Sequence, residues 1–141
     1  MDLIQDVVVK PLKLIPDERG YLMEMMRKDW PEFMQFAQSY MTACYPGVYK
    51  AWHYHRKQYD HFVSPFGMAK VVLYDPRPES PTRGKVNVFH MGQLNPILLR
   101  IPPLVYHGFT AEGGMRKRMG FKYRIPYDDP SIPYSWEVKH G

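Results

Sequence analysis

The stretch that decides how the chain is read is Gly47–Gly67, GVYKAWHYHRKQYDHFVSPFG. His53 and His55 lie two apart, Asp60 and His61 follow, and a glycine stands at each end. In a β-strand, side chains at a spacing of two project from one face, so His53 and His55 are expected to point the same way. A further histidine, His107, arrives in Pro102–Phe109, PPLVYHGF. Two such segments, far apart in sequence, are expected to line one pocket inside a small β-barrel.

The rest of the chain supports that architecture. Val7–Ile15 alternates loosely and carries Pro11, the pattern of an edge strand. Asp17–Gly20 reads as a turn and Tyr21–Met26 as the returning strand. Asp29–Ala37, DWPEFMQFA, has a capping residue in Asp29, a first-turn proline in Pro31 and a shared face of Phe33, Phe36 and Ala37, so it is expected to be the one short helix. Strands are then expected at Gln38–Tyr45, Val48–His55, Met68–Tyr74, Lys85–His90, Ile97–Ile101, Tyr106–Thr110 and Lys117–Arg124. Tyr45–Gly47 and the polar Asp75–Gly84 read as turns, and the Pro- and Tyr-rich Pro126–Gly141 is expected to lie across the surface. Fourteen prolines and ten glycines suit a chain of many short strands.

Composition narrows the class. With 141 residues, 45% hydrophobic and 23% charged, the chain is expected to form one globular domain, residues 1–141. No apolar run reaches membrane-span length, and MDLIQDVVVK lacks a signal pattern, so a cytoplasmic location is expected. The single cysteine, Cys44, excludes an intramolecular disulfide and a multi-cysteine zinc site. Lys and Arg exceed Asp and Glu by five (19 − 14), which suits an anionic small molecule. The densest basic run, Arg116–Arg118, lies in no recognition-helix pattern, so no nucleic-acid partner is expected.

Three readings of the histidines follow from the residues. The spacing G-x5-H-x-H-x4-D-x6-G resembles the metal motif of the cupin superfamily. With His107 it yields a ligand set of His53, His55, Asp60 and His107 suited to Fe(II), Mn, Ni or Zn. It differs from that motif in having Asp60 for the usual glutamate, and Leu104 where the second motif carries glycine. Alternatively, His53 is a general base for removing a proton beside a ketone, with basic residues holding the anionic part of the substrate. The third arrangement leaves all three imidazoles as core-facing groups satisfied by the backbone.

Further segments carry a resemblance. Asp17–Tyr21 followed by Glu24 resembles a D-x-R-G-aromatic…E motif, Phe36–Ser39 an F-x-Q segment, and Lys50–His55 the pattern R-G-L-H-aromatic-Q. Asp75–Gly84 resembles D-x-R-x-x-S-P-T-x-G, and Ile101–Pro102 with His107–Phe109 resembles I-P-x-x-x-x-H-G-F. Asp128–Pro130 with Ile132 and Trp136 resembles N-D-P-x-I-x-I-x-W. In this order, they are similar to the dTDP-4-dehydrorhamnose 3,5-epimerases, dTDP-sugar isomerases of the cupin superfamily.

That resemblance implies an all-β cupin jelly-roll barrel, a homodimer and an isomerase acting in carbohydrate biosynthesis, lipopolysaccharide included. The implied substrate is a nucleoside-diphosphate 4-keto sugar, with no cofactor. It casts His53 as base and His107 as a neighbouring pocket histidine, with Arg19 and Lys50 on the phosphates and Glu24 and Gln38 on the nucleotide. His55 and Asp60 occupy positions where the family carries glutamine and an enolate-stabilising lysine. The family's tyrosine acid aligns with Phe121, which cannot donate a proton, so Tyr123 is assigned that role, with Tyr127 and Tyr134 as further candidates. The alternatives that remain are the metal enzyme and a sugar-nucleotide binder without turnover.

Overall fold

The computed structural model describes residues 1–112 and 128–136. Its regular structure is entirely β among the described residues, in nine strands. A tight hairpin joins β2 (Leu14–Asp17) to β3 (Gly20–Met23) through Glu18 and Arg19. Asp17 closes it by accepting the Arg19 N–H at 2.8 Å, and Gly20 takes a φ of 134° that a side chain would disfavour.

The remaining strands form two antiparallel sheets. One has the order β1–β8–β5, made of Val8–Pro11, Ile97–Ile101 and Asp60–Phe62. Pro11 has no N–H to donate, and β1 accordingly runs along the edge, as expected from sequence. The other has the order β4–β9–β6–β7, made of Tyr49–His53, Tyr106–Ala111, Met68–Tyr74 and Val86–Gly92. Between the sheets lies an apolar core that includes Val71, Leu73, Phe89, Met91, Leu99 and Ile101. Period-two alternation sends the intervening residues of the four-stranded sheet to its other face, where Val72 packs with Tyr49, Ala51 and Trp52. Ile132 and Trp136 of the C-terminal segment complete that second cluster and are fully buried. The described part of the tail, residues 128–136, is therefore anchored on the sheet by these two side chains.

Two expected elements are absent. Asp29–Ala37 is a series of turns, not a helix: Trp30 N–H bonds Arg27 O and Phe33 N–H bonds Trp30 O, with no helical run. The groups that would have built the helix are engaged elsewhere. Arg27 occupies both carboxylate oxygens of Asp29, the intended cap. His61 Nε2 takes the Glu32 carbonyl at 3.0 Å, and Lys10 pairs with the Glu32 carboxylate while lying over the Trp30 ring. Phe36 remains 70% exposed, so no apolar face is buried to offset the nucleation cost of so short a helix. Gln38–Tyr45 is irregular and exposed for a related reason: it has no strand beside it among the described residues. The expected strand Lys117–Arg124 lies outside the described residues.

The D-x-R-x-x-S-P-T stretch folds around Asp75, which is completely buried. Its carboxylate accepts two bonds from the Arg77 guanidinium at 2.8 and 2.9 Å and one each from Ser80 and Thr82 at 2.6 Å. The loop also grips the N-terminal segment, since Thr82 Oγ1 accepts the Gln5 N–H and Arg77 donates to the Gln5 carbonyl. Burial alone would raise the Asp75 pKa; the four side-chain bonds outweigh it and hold the carboxyl well below the usual carboxylate range. A carboxyl depressed in the native state stabilises above its unfolded pKa, about 3.9, and that contribution is lost as pH falls through the lower native value. Asp75→Ala is expected to cost about 1–3 kcal/mol at pH 7, because the Arg77, Ser80 and Thr82 donors lose their common acceptor. Urea denaturation at pH 7 and pH 3 checks this: wild type should lose part of this component by pH 3, where the unfolded carboxyl is protonated and the native one is still ionised, and the variant should lose none of it.

Candidate functional site

One end of the space between the sheets is polar. Its geometry begins with an offset in the β4–β9 ladder. Lys50 pairs with Phe109 and His53 with His107, so β4 uses three steps where β9 uses two. The extra residue is a bulge, and it breaks strict alternation. Ala51 and Trp52 both pack in the outer cluster, while Lys50 and His53 both face inward. Gly108 makes the close approach possible, because a Cβ there would stand 2.4 Å from the Ala51 Cβ.

His53 and His107 are consequently face to face, with ring centroids 6.0 Å apart and planes within 15°. Phe62 of β5 packs edge-on against His107 at 5.4 Å. Asp60, two residues before Phe62 on the same face, reaches across from the three-stranded sheet, and its Oδ2 lies 3.3 Å from His107 Nε2. His55 Nε2 stands 3.2 Å from the same oxygen. The sequence expectation that His53 and His55 share a side holds, but by another route. Strand β4 stops at His53, and His55 is placed beyond it by its carbonyl, which accepts the Leu104 N–H at 2.7 Å. Leu104 has a φ of 65°, the left-handed conformation that favours glycine, at the very position where the cupin motif carries glycine.

His107 is 4% exposed, and burial pushes its imidazole below the ordinary histidine pKa, against the opposing pull of Asp60 and the Val105 carbonyl. Its Nδ1 lies 3.2 Å from that carbonyl, which only accepts, so the ring N–H points there. Gln58 donates to Asp60 Oδ1 at 2.7 Å and leaves Oδ2 to the histidines. These orienting contacts had no signal in the sequence beyond proximity. Of the four residues expected as metal ligands, His55, Asp60 and His107 bring one donor atom each within 4.8 Å of one another; His53 is not part of that group. Two imidazoles and a carboxylate suit a transition metal, so the trimmed set fits the ion class expected from the spacing.

Lys50 joins the site from the inward face of β4, with Nζ 5.9 Å from the Phe109 ring and a 2.7 Å bond to Thr42. Arg19, Glu24 and Gln38 sit apart, on the hairpin and the irregular segment after it. Arg19 is exposed and bound to Asp17, and Glu24 pairs with Arg27. Tyr134 packs edge-on against Trp52 and Trp136 on the outer face of the four-stranded sheet, away from the histidines. Tyr123, Tyr127 and Phe121 lie outside the described residues. Gly108→Ala should push β4 from β9 and lower stability by about 1–3 kcal/mol in urea denaturation, as overpacking does.

Residues 2–138 match the dTDP-4-dehydrorhamnose 3,5-epimerase family. The chain is 41% identical over 156 aligned positions to the "Probable low-salt glycan biosynthesis epimerase Agl13" of Haloferax volcanii, covering all of both proteins. It is 38% identical over 149 positions to the "Spore coat polysaccharide biosynthesis protein SpsL" of Bacillus subtilis, covering 97% of this chain and 99% of that protein. The crystal structure of a dTDP sugar isomerase from Desulfovibrio desulfuricans G20 superimposes with a TM-score of 0.85 at 38% identity, over 94% of this chain and 92% of that one. The two-sheet architecture is thus the cupin-type jelly roll, without the short helix expected from sequence.

Proposed function

The chain belongs to the dTDP-4-dehydrorhamnose 3,5-epimerase family of isomerases, and from that premise we propose that it epimerises or isomerises a nucleoside-diphosphate 4-keto sugar, with His53 as the base. The observation that carries the reading is the pairing of His53 with His107 on facing strands at the polar end of the intersheet space. A proton alpha to a ketone is acidic enough to remove only when base and carbonyl are held in register and the enolate charge is met by a positive or hydrogen-bonding group. His53 is in place to take the proton. Lys50, on the same inward face, offers a cation for the diphosphate. A lysine there is a point charge and lacks the two-pronged fork of arginine, so it holds the phosphate with less directional control. The glycan-biosynthetic roles in the names of the two relatives support a place in polysaccharide or glycan assembly.

Solvent deuterium entering C3 or C5 of dTDP-4-keto-6-deoxyglucose is the direct test. His53→Asn should lower that exchange by about 10²–10⁴-fold while substrate still binds. Wild-type protein that folds and binds the nucleotide sugar but exchanges no proton would instead be a binder.

The same reading includes a homodimer. Leu22, Phe36, Tyr40, Met41 and Tyr45 are exposed on the hairpin and the unpaired segment after it, a density of apolar surface unusual for a lone chain. The segment's open backbone also suits pairing with a second copy. Arg19, Glu24 and Gln38 lie on this arm, so a second copy would be the means of bringing them to a site. Light scattering should find a dimer, and Phe36→Asp combined with Met41→Asp should shift it to monomer with loss of exchange.

A further inference from the structure

One wall of the site carries positive charge that the chemistry of His53 leaves unused. Gly47–Tyr59 holds Lys50, Arg56 and Lys57 and no acidic residue. Asp60, next in sequence, has both oxygens engaged, Oδ1 by Gln58 and Oδ2 by His55 and His107. Arg56 and Lys57 are exposed, and among the described residues neither pairs with a carboxylate. By contrast Lys10, Arg19, Arg27, Arg77 and Lys85 each have an acidic partner.

The turn that carries the two cations joins the end of β4 to the start of β5, the strands that edge the two sheets at the polar end. It is tied on both sides. The His55 carbonyl accepts the Leu104 N–H at 2.7 Å, Gln58 donates to Asp60 at 2.7 Å, and the Tyr59 ring lies 5.7 Å from the Arg100 guanidinium. Two residues of chain span at most about 7 Å, so the backbones of Arg56 and Lys57 stay within that reach of His55. The His55 side chain is 40% exposed and marks the open side of the cluster. At 0.1 M salt the screening length is about 10 Å, so both charges act on an anion arriving there. Lys50 continues the same sign inward along β4. A cleft lined by charge of one sign focuses the field and concentrates the opposite ion at its mouth.

We infer that Arg56 and Lys57 form an anion-recruiting rim, which the diphosphate of a nucleotide sugar meets before it reaches Lys50. The choice of ligand rests on the nucleotide-sugar reading. The rim takes no part in proton transfer. The Arg56 guanidinium can hold a phosphate through two parallel N–H bonds, the fork that Lys50 lacks.

The test titrates dTDP into the purified full-length protein by calorimetry, at about 0.02 M and about 0.5 M salt. The double variant Arg56→Glu/Lys57→Glu should weaken binding by about tenfold or more at low salt, and the difference should shrink to about twofold at high salt. Lys57→Glu alone should cost about threefold or more at low salt. Lys13→Glu makes the same change in net charge beyond the Pro11–Ile97 end of β1, away from the site, and should stay within about twofold of wild type. The substituted side chains are all exposed, so melting curves should coincide with wild type. No saturable dTDP binding to wild type, low-salt affinity of the double variant within about twofold of wild type, or an equal loss in Lys13→Glu overturns the rim. Rim-dependent dTDP binding without deuterium exchange leaves the rim standing and removes the ketosugar reading alone. Exchange by wild type, with unchanged dTDP affinity in the double variant, removes the rim alone.

Discussion

The polar end of the intersheet space hangs on one residue of offset between two paired strands. Without the bulge between Lys50 and His53, regular alternation would turn one of them away from the intersheet space. With it, Ala51 and Trp52 pack outward together and both polar residues point in. The offset is tolerated because Gly108 offers no Cβ at the crossing and because Trp52 gains a bed of Trp136, Tyr134 and Val72 on the outer face. The polar end and the C-terminal cover are therefore parts of one packing solution: the tail buries what the bulge pushes out.

A second constraint acts across the sandwich. Asp60 belongs to the three-stranded sheet and His107 to the four-stranded one, and their contact closes the polar end. Such a contact is costly to bury unless each partner's remaining valences are met. Here they are: Gln58 serves the second carboxylate oxygen, and Val105 the second ring nitrogen. Phe62 and the apolar core behind it keep water from competing. The opposite strategy appears at Asp75, where four side-chain bonds from neighbours in sequence satisfy a buried carboxylate whose work is to hold a loop and the N-terminal segment. The environments of buried Asp75 and half-buried Asp60 differ in kind. One is closed by local partners and is structural; the other is shared between sheets and opens toward the candidate site.

Much of this was readable from the chain itself. The β-rich architecture, the edge position of β1 and the Asp17–Gly20 turn follow from local rules: proline without a donor, glycine at a positive φ, and alternation in strands. The spurious helix and the spurious strand arose from the same rules. Asp29 and Pro31 have the right chemistry for a helix start, yet Arg27 and His61 compete for the groups a helix needs. Gln38–Tyr45 has strand-like composition, yet a strand exists only with a neighbour to bond.

Sequence alone determined the family's motif order, the all-β class and which histidines are candidates for chemistry, because these depend on residue identity and short-range spacing. Tertiary structure alone decided that His55, Asp60 and His107 share one carboxylate oxygen while His53 stands beside them, and that Tyr134 belongs to an aromatic cover on the far side of its sheet. The physical reason is that such groupings depend on register between distant strands. A single inserted residue in one ladder reverses the direction of every side chain beyond it, and no local propensity records that shift.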